Sequence, residues 1–272
     1  MYSFGLVKRR RRRKIAAIFA IVGAIGTTVL GIVAFLGRQV GTFTINLKND
    51  GVALSMDTHK AFDNPTSYLS AAGFDKISGP YNYSWFVTPD PETHIRLRDR
   101  LHSEDTDYTL GRDSNENGIR FFKYTFYIKN TGALHAGFDM NINLNENLAP
   151  KNGAQPLDQY LRIMVFEDDN DPIIYAHYSL TLDPGPDFDY REYVTKGPEA
   201  EQDGNYFGKA ELFRSETVLV SLRNTLEPDQ IRMYTLVFWL EGDDPECNLI
   251  PDEASLRIGA TINGYPQSKK VD

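Results

Sequence analysis

Apolar and polar residues alternate over much of the chain after residue 40, at the two-residue period of a strand with one buried face. Phe43, Ile45 and Leu47 are separated by polar residues, Asn49-Asp50-Gly51 supplies turn chemistry, and Val52, Leu54 and Met56 resume the pattern. That spacing predicts a hairpin pairing 43–47 with 52–56. Ile119–Asn130 is denser in aromatic and β-branched residues and ends at Asn130-Thr131-Gly132, a turn signal. Phe138, Met140, Ile142 and Leu144 alternate with Asp139, Asn141 and Asn143, the mark of a half-buried strand. Leu161–Glu167, 173–179, 217–222, 231–241 (after the turn at Pro228-Asp229) and 255–262 add further strands.

No stretch in this part sustains a long 3.6-residue period. Residues 60–76 and 90–105 are expected to hold short helices, and 183–209, with Pro184, Pro186 and Pro198, reads as a long loop. Eight to ten short strands between turns predict an all-β domain, an antiparallel β-sandwich of jelly-roll or immunoglobulin-like build.

The N-terminal pattern differs in kind. Seven consecutive cations, Lys8 through Lys14, run into residues 15–36, which carry no charge. As a helix that stretch spans roughly 33 Å, enough for a hydrocarbon core of about 30 Å. The cations lie on its N-terminal side, which places the N-terminus in the cytoplasm and residues 37–272 outside the cell. A cleavable signal has a shorter apolar region and an Ala-x-Ala site; Val33-Ala34-Phe35-Leu36-Gly37 offers none, so the segment reads as an uncleaved anchor, with processing near 34–41 the other reading. The expected organisation is a basic cytoplasmic segment (1–14), a transmembrane signal anchor (15–36) and an extracellular domain (37–272).

Charge sharpens the contrast. The chain has 29 Lys plus Arg and 37 Asp plus Glu; seven cations precede residue 36, so the remainder holds 22 against 37, a net −15. Such a surface repels phosphate backbones and anionic lipid, which argues against a nucleic-acid partner. Cys247 is the lone cysteine, so an exported domain must be held by its core rather than by an internal disulfide.

Candidate chemistry is sparse. Asp113, Asn115 and Asn117 place oxygen ligands at alternate positions before Gly118, like the first half of a calcium loop, yet Tyr124 stands where the bidentate Glu would be. A looser calcium loop and a plain turn are both open there. Glu167, Asp168, Asp169 and Asp171 crowd four acids before Pro172; their repulsion calls for a cation, or for solvation at a hairpin end. Trp239, Glu241, Asp243, Asp244 and Cys247 form the most distinctive string, either a ligand site at a strand end or a core tryptophan followed by a solvated acidic turn. The five histidines lack zinc spacing, and no nucleophile elbow, Walker loop or dinucleotide fingerprint occurs. Paired carboxylates for glycoside hydrolysis can lie far apart in sequence, so that chemistry stays open. No cofactor is implied, apart from calcium at the acidic loops.

Three features carry a resemblance: a basic signal segment leading into a first strand at 41–47, Tyr124-to-Gly132 ending in Asn-Thr-Gly, and Leu226-Glu227-Pro228-Asp229-Gln230 before Tyr234-to-Gly242. With these the chain resembles exported β-sandwich surface proteins of Gram-positive bacteria, of the TasA and camelysin kind. The resemblance implies a jelly-roll ectodomain and a non-catalytic role in surface fibres or biofilm matrix. The longer membrane segment and extended acidic loops depart from that family. The expected function is surface assembly or adhesion; the alternative is a membrane-tethered, calcium-assisted binding module for a cell-wall glycan or peptide.

The charge asymmetry around residues 15–36 makes a direct prediction. A tag after Asp272 is expected to be removed by protease added to intact cells; protection of that tag in sealed cells contradicts the orientation.

Overall fold

The computed structural model describes residues 39–47, 52–72, 81–94, 96–101, 108–112, 119–177, 210–242, 247 and 254–267. The expected anchor segment 15–36 and the expected loop 183–209 lie outside them. Among the described residues no helix is long and apolar enough to cross a membrane.

Among the described residues, twelve strands form two sheets. One has five strands in the order β10 (Val218–Leu226), β6 (Ala136–Leu148), β12 (Ser255–Pro266), β1 (Gln39–Leu47) and β3 (Tyr68–Ala72). The other runs β2 (Leu54–Asp57), β5 (Ile119–Asn130), β11 (Ile231–Leu240), β7 (Leu161–Glu167), β8 (Ile173–Ala176) and β9 (Ala210–Leu212), with β4 (Tyr108–Arg112) also on β5. Their facing sides share one apolar core, so the architecture is a β-sandwich. Two turns of helix, α1 (Ser84–Val87) and α2 (Leu97–Leu101), and a 3-10 turn at Leu157–Gln159 complete the described elements.

The sequence pattern separates the two sheets physically. In β6, Phe138, Met140 and Ile142 are buried between half-exposed Asp139, Asn141 and Asn143, so this sheet has a wet outer face. β5 from Phe121 to Ile128, β7 from Leu161 to Phe166 and β11 from Met233 to Leu240 are buried without a break. Those strands are covered on both faces, which is why they read as continuous apolar and aromatic runs. Part of the second cover comes from residues 81–101: Tyr81, Tyr83, Phe86 and Val87 pack on Phe121, Met164, Val237 and Trp239.

The predicted hairpin of 43–47 with 52–56 does not form. β1 pairs in parallel with β12, Phe43 opposite Ala260 and Ile45 opposite Ile262, while β2 pairs with β5 in the other sheet. Alternation was right about which side chains are inward; Phe43, Ile45, Leu54 and Met56 are all buried in one core. It could not tell neighbours within a sheet from partners across it. Phe43 stacks on Tyr124 of β5 with ring centroids 4.7 Å apart and touches Phe126 at 5.0 Å. The expected antiparallel order is also broken at β8 and β9, which run parallel. Of the expected helices, 90–105 contains α2, whereas the described part of 60–76 holds a turn and β3.

The two turn motifs singled out above meet in space. Asn130 is fully buried; its Nδ2 donates to the carbonyls of Leu134 (2.7 Å) and Leu226 (3.1 Å), and its Oδ1 accepts from the Gly132 N–H (3.0 Å). Its main chain exchanges bonds with Gln230 and Asp229. One amide thus fixes the exits of β5 and β10 together.

Phe43→Ala removes the ring that β1 sends across the core. The expected loss of stability is about 3–5 kcal/mol, read from urea unfolding, with Phe43→Leu retaining most of it.

Candidate functional site

Two polar constellations and a groove interrupt the apolar packing. The first sits at inward-facing positions on one side of the sandwich. Arg232 of β11 donates through Nη1 to Glu167 Oε1 at the end of β7 and to Asn224 Oδ1 of β10 at 2.6 Å. Asn224 Nδ2 donates to Glu167 Oε2 (2.9 Å) and to the Tyr234 hydroxyl (2.7 Å). Because β10 belongs to one sheet and β7 and β11 to the other, the cluster ties the sheets together.

Asp168 extends the same network. Its backbone is in the left-handed region (φ 48°), which Asp tolerates better than bulky residues. Its N–H donates to the Met233 carbonyl (3.0 Å), its Oδ1 accepts the Met233 N–H (2.8 Å), and its Oδ2 lies 3.3 Å from Arg232 Nε, too oblique for a hydrogen bond. Asp169 is exposed; Asp171 is 97 % exposed and stands 3.9 Å from Arg98 Nη2. The positive charge that this run of acids calls for is therefore contributed by arginines of the chain, Arg232 above all. Among the described residues, no group of three or more His, Cys, Asp or Glu is arranged to hold a metal ion. The calcium-loop residues Asp113, Asn115 and Asn117 lie outside the described residues.

The second constellation surrounds the end of β11. Trp239 is 1 % exposed and anchors the aromatic cluster beneath residues 81–101, with Phe86 4.9 Å and Tyr83 6.1 Å from its ring. Glu241, expected in a solvated turn if that string were structural, is instead 4 % exposed. Its carboxylate accepts from Trp239 Nε1 (3.0 Å) and from the Tyr83 N–H, which lies 3.2 Å from both oxygens. Burying a carboxylate is costly unless donors surround it; here they come from the strand and from the segment that covers it. Sequence could flag Glu241 as unusual beside Trp239, but not Tyr83, which is 158 residues away. Asp243 and Asp244 lie outside the described residues. Cys247 is half-buried and packs against the main core.

The groove, about 450 Å³ and open to solvent, runs along the far end of β6. Asn145, Asn147, Asp158, Gln159, His177 and Glu216 line it. Asp158 is nearly buried and accepts from Asn147 Nδ2 (2.6 Å) and Gln159 Nε2 (3.1 Å). Amides and carboxylates along one wall offer both donors and acceptors, chemistry suited to a polyhydroxylated or peptide ligand. No family model, curated protein or solved structure matches the chain.

Burial, with Glu167 close by, raises the Tyr234 hydroxyl well above its ordinary pKa of 10.0. Burial does the same for Tyr83 and Tyr175. Below pH 10.0 these tyrosines are protonated in folded and unfolded chains alike, so they add no pH dependence. Above it the unfolded chain sheds protons that the folded chain keeps, and stability falls as pH rises. Urea midpoints are expected to drop above pH 10.0, and Tyr234→Phe is expected to flatten that drop; an unchanged slope contradicts the burial assigned to this hydroxyl.

Proposed function

We propose that this chain is a single-pass surface protein whose acidic β-sandwich works outside the cell in assembly or adhesion rather than catalysis. The observation that carries this reading is the run of seven cations followed by 22 uncharged residues, with only Gly37 and Arg38 between Leu36 and the start of β1. A domain held that closely to a bilayer, with a net charge of −15 in residues 37–272, suits contact work at a surface. The two-sheet β-sandwich is compatible with the jelly-roll ectodomain that the TasA and camelysin resemblance implies. Trp85, Leu134, Leu148 and Ile173 are large apolar side chains left about half exposed, and they are candidates for contacts with other molecules.

A second reading rests on the polar groove along β6. In it the sandwich is a tethered module that holds a wall glycan or peptide through Asn145, Asn147 and Asp158.

The two readings part on oligomeric state. Assembly expects the purified protein to form fibres or large particles in negative-stain images, with calcium tested as a modulator. The module reading expects a monomer retained by an isolated cell-wall fraction and released when Asn147→Ala and Asp158→Ala are combined. A protein that stays monomeric at high concentration, with and without calcium, and passes through wall material unretained contradicts both.

A further inference from the structure

The chain contains Asn-Gly pairs in contrasting settings, and one of them is built for chemistry. We propose that Asn152 is a site of spontaneous deamidation, converting to aspartate and isoaspartate as the protein ages.

Residues 151–153 form an exposed turn after β6. Asn152 Oδ1 accepts the Ala154 N–H at 3.3 Å, an Asx turn in which the side chain folds back along the backbone that follows it. Gly153 has φ +79°, and a Cβ placed there would meet nothing within 4 Å. The space beside the Gly153 Cα is therefore open, and the turn as a whole faces solvent.

In the reaction the Gly153 nitrogen bonds to Asn152 Cγ and the Cγ–Nδ2 bond breaks. Nδ2 leaves as ammonia, taking up in net terms the proton lost from the Gly153 nitrogen. Water then opens the five-membered imide at either carbonyl, giving aspartate or the isomer in which the main chain runs through the side chain. The product carries a new negative charge and, in the isomer, an extra main-chain carbon.

Asn263-Gly264 supplies the internal contrast. It lies in β12 between two neighbours, Asn263 opposite Asp139 and Asn46, Gly264 opposite Phe138 and Leu47. Extended backbone locked in a sheet keeps the Gly264 nitrogen away from Asn263 Cγ. Asn117-Gly118 lies outside the described residues.

The test ages the full-length chain in mildly alkaline buffer and reads its peptides by mass spectrometry. The peptide holding Asn152 is expected to gain the amide-to-acid mass at least about tenfold faster than the Asn263 peptide, and to split into two chromatographic isomers. Denaturing the chain first should bring the two peptides to similar rates, and Gly153→Ala should slow the change at 152. Equal rates at 152 and 263 in the folded chain, or no slowing in Gly153→Ala, overturns the proposal.

Discussion

The contact between Phe43 and the Tyr124–Phe126 face of β5 is the one on which the rest of the sandwich depends. It joins the first described strand of one sheet to a long buried run of the other, and it holds only if β1 is seated between β12 and β3. The partner that seats it, β12, is the last described strand, with Phe43 opposite Ala260. Such a pairing closes nearly the whole domain as one loop, the costliest kind of contact to form early. A chain made N-terminus first carries β1 without its parallel ladder partner until residues 255–266 arrive. The core therefore forms late and together, and losses within it spread to both sheets.

Polar side chains then settle how the sheets close at their borders. On one side the chain itself stitches them: Thr66 exchanges two main-chain bonds with Met56 of β2, and the neighbouring Ser67 carbonyl accepts from Ile45 of β1. On the other, residues 213–217 lead from β9 directly into β10, with Arg214 bonded back to Leu219. Asn224, Arg232 and Glu167 add a side-chain tie beside that crossing. Sheet edges that are bridged in this way present less open main chain to a foreign strand. Contacts through the faces and loops thus fit the proposed surface role better than simple strand addition, which would have to displace a bridging segment first.

What could be read in advance follows from what periodicity measures. The continuous runs of β5, β7 and β11 and the alternation of β6 report local burial, and burial is what the fold gave them. Partner choice is a long-range property, so the Asn49-Asp50-Gly51 signal suggested a hairpin where β1 and β2 went to opposite sheets. β3, β4 and β9 are too short for a period to register. The acidic run at 167–171 was visible, but its counter-charge Arg232 lies 65 residues further on, in a strand whose neighbours gave no hint of it. Asn130 was legible as a turn residue and not as the buried amide that joins two loops.

The buried and half-buried acids share one kind of work, and that bears on function. Asp57 accepts from the N–H groups of His59 and Asn64 and closes the loop after β2. Glu241 holds residues 81–87 against β11, Asp158 gathers Asn147 and Gln159, and Glu167 binds β7 to β10 and β11. Each carboxylate has donors of its own and joins a loop or strand to a different part of the fold. A domain that spends its interior charges on fastening gains a fixed shape without a disulfide. Under the reading proposed above, that fixed shape is what a tethered domain would bring to contact at a surface.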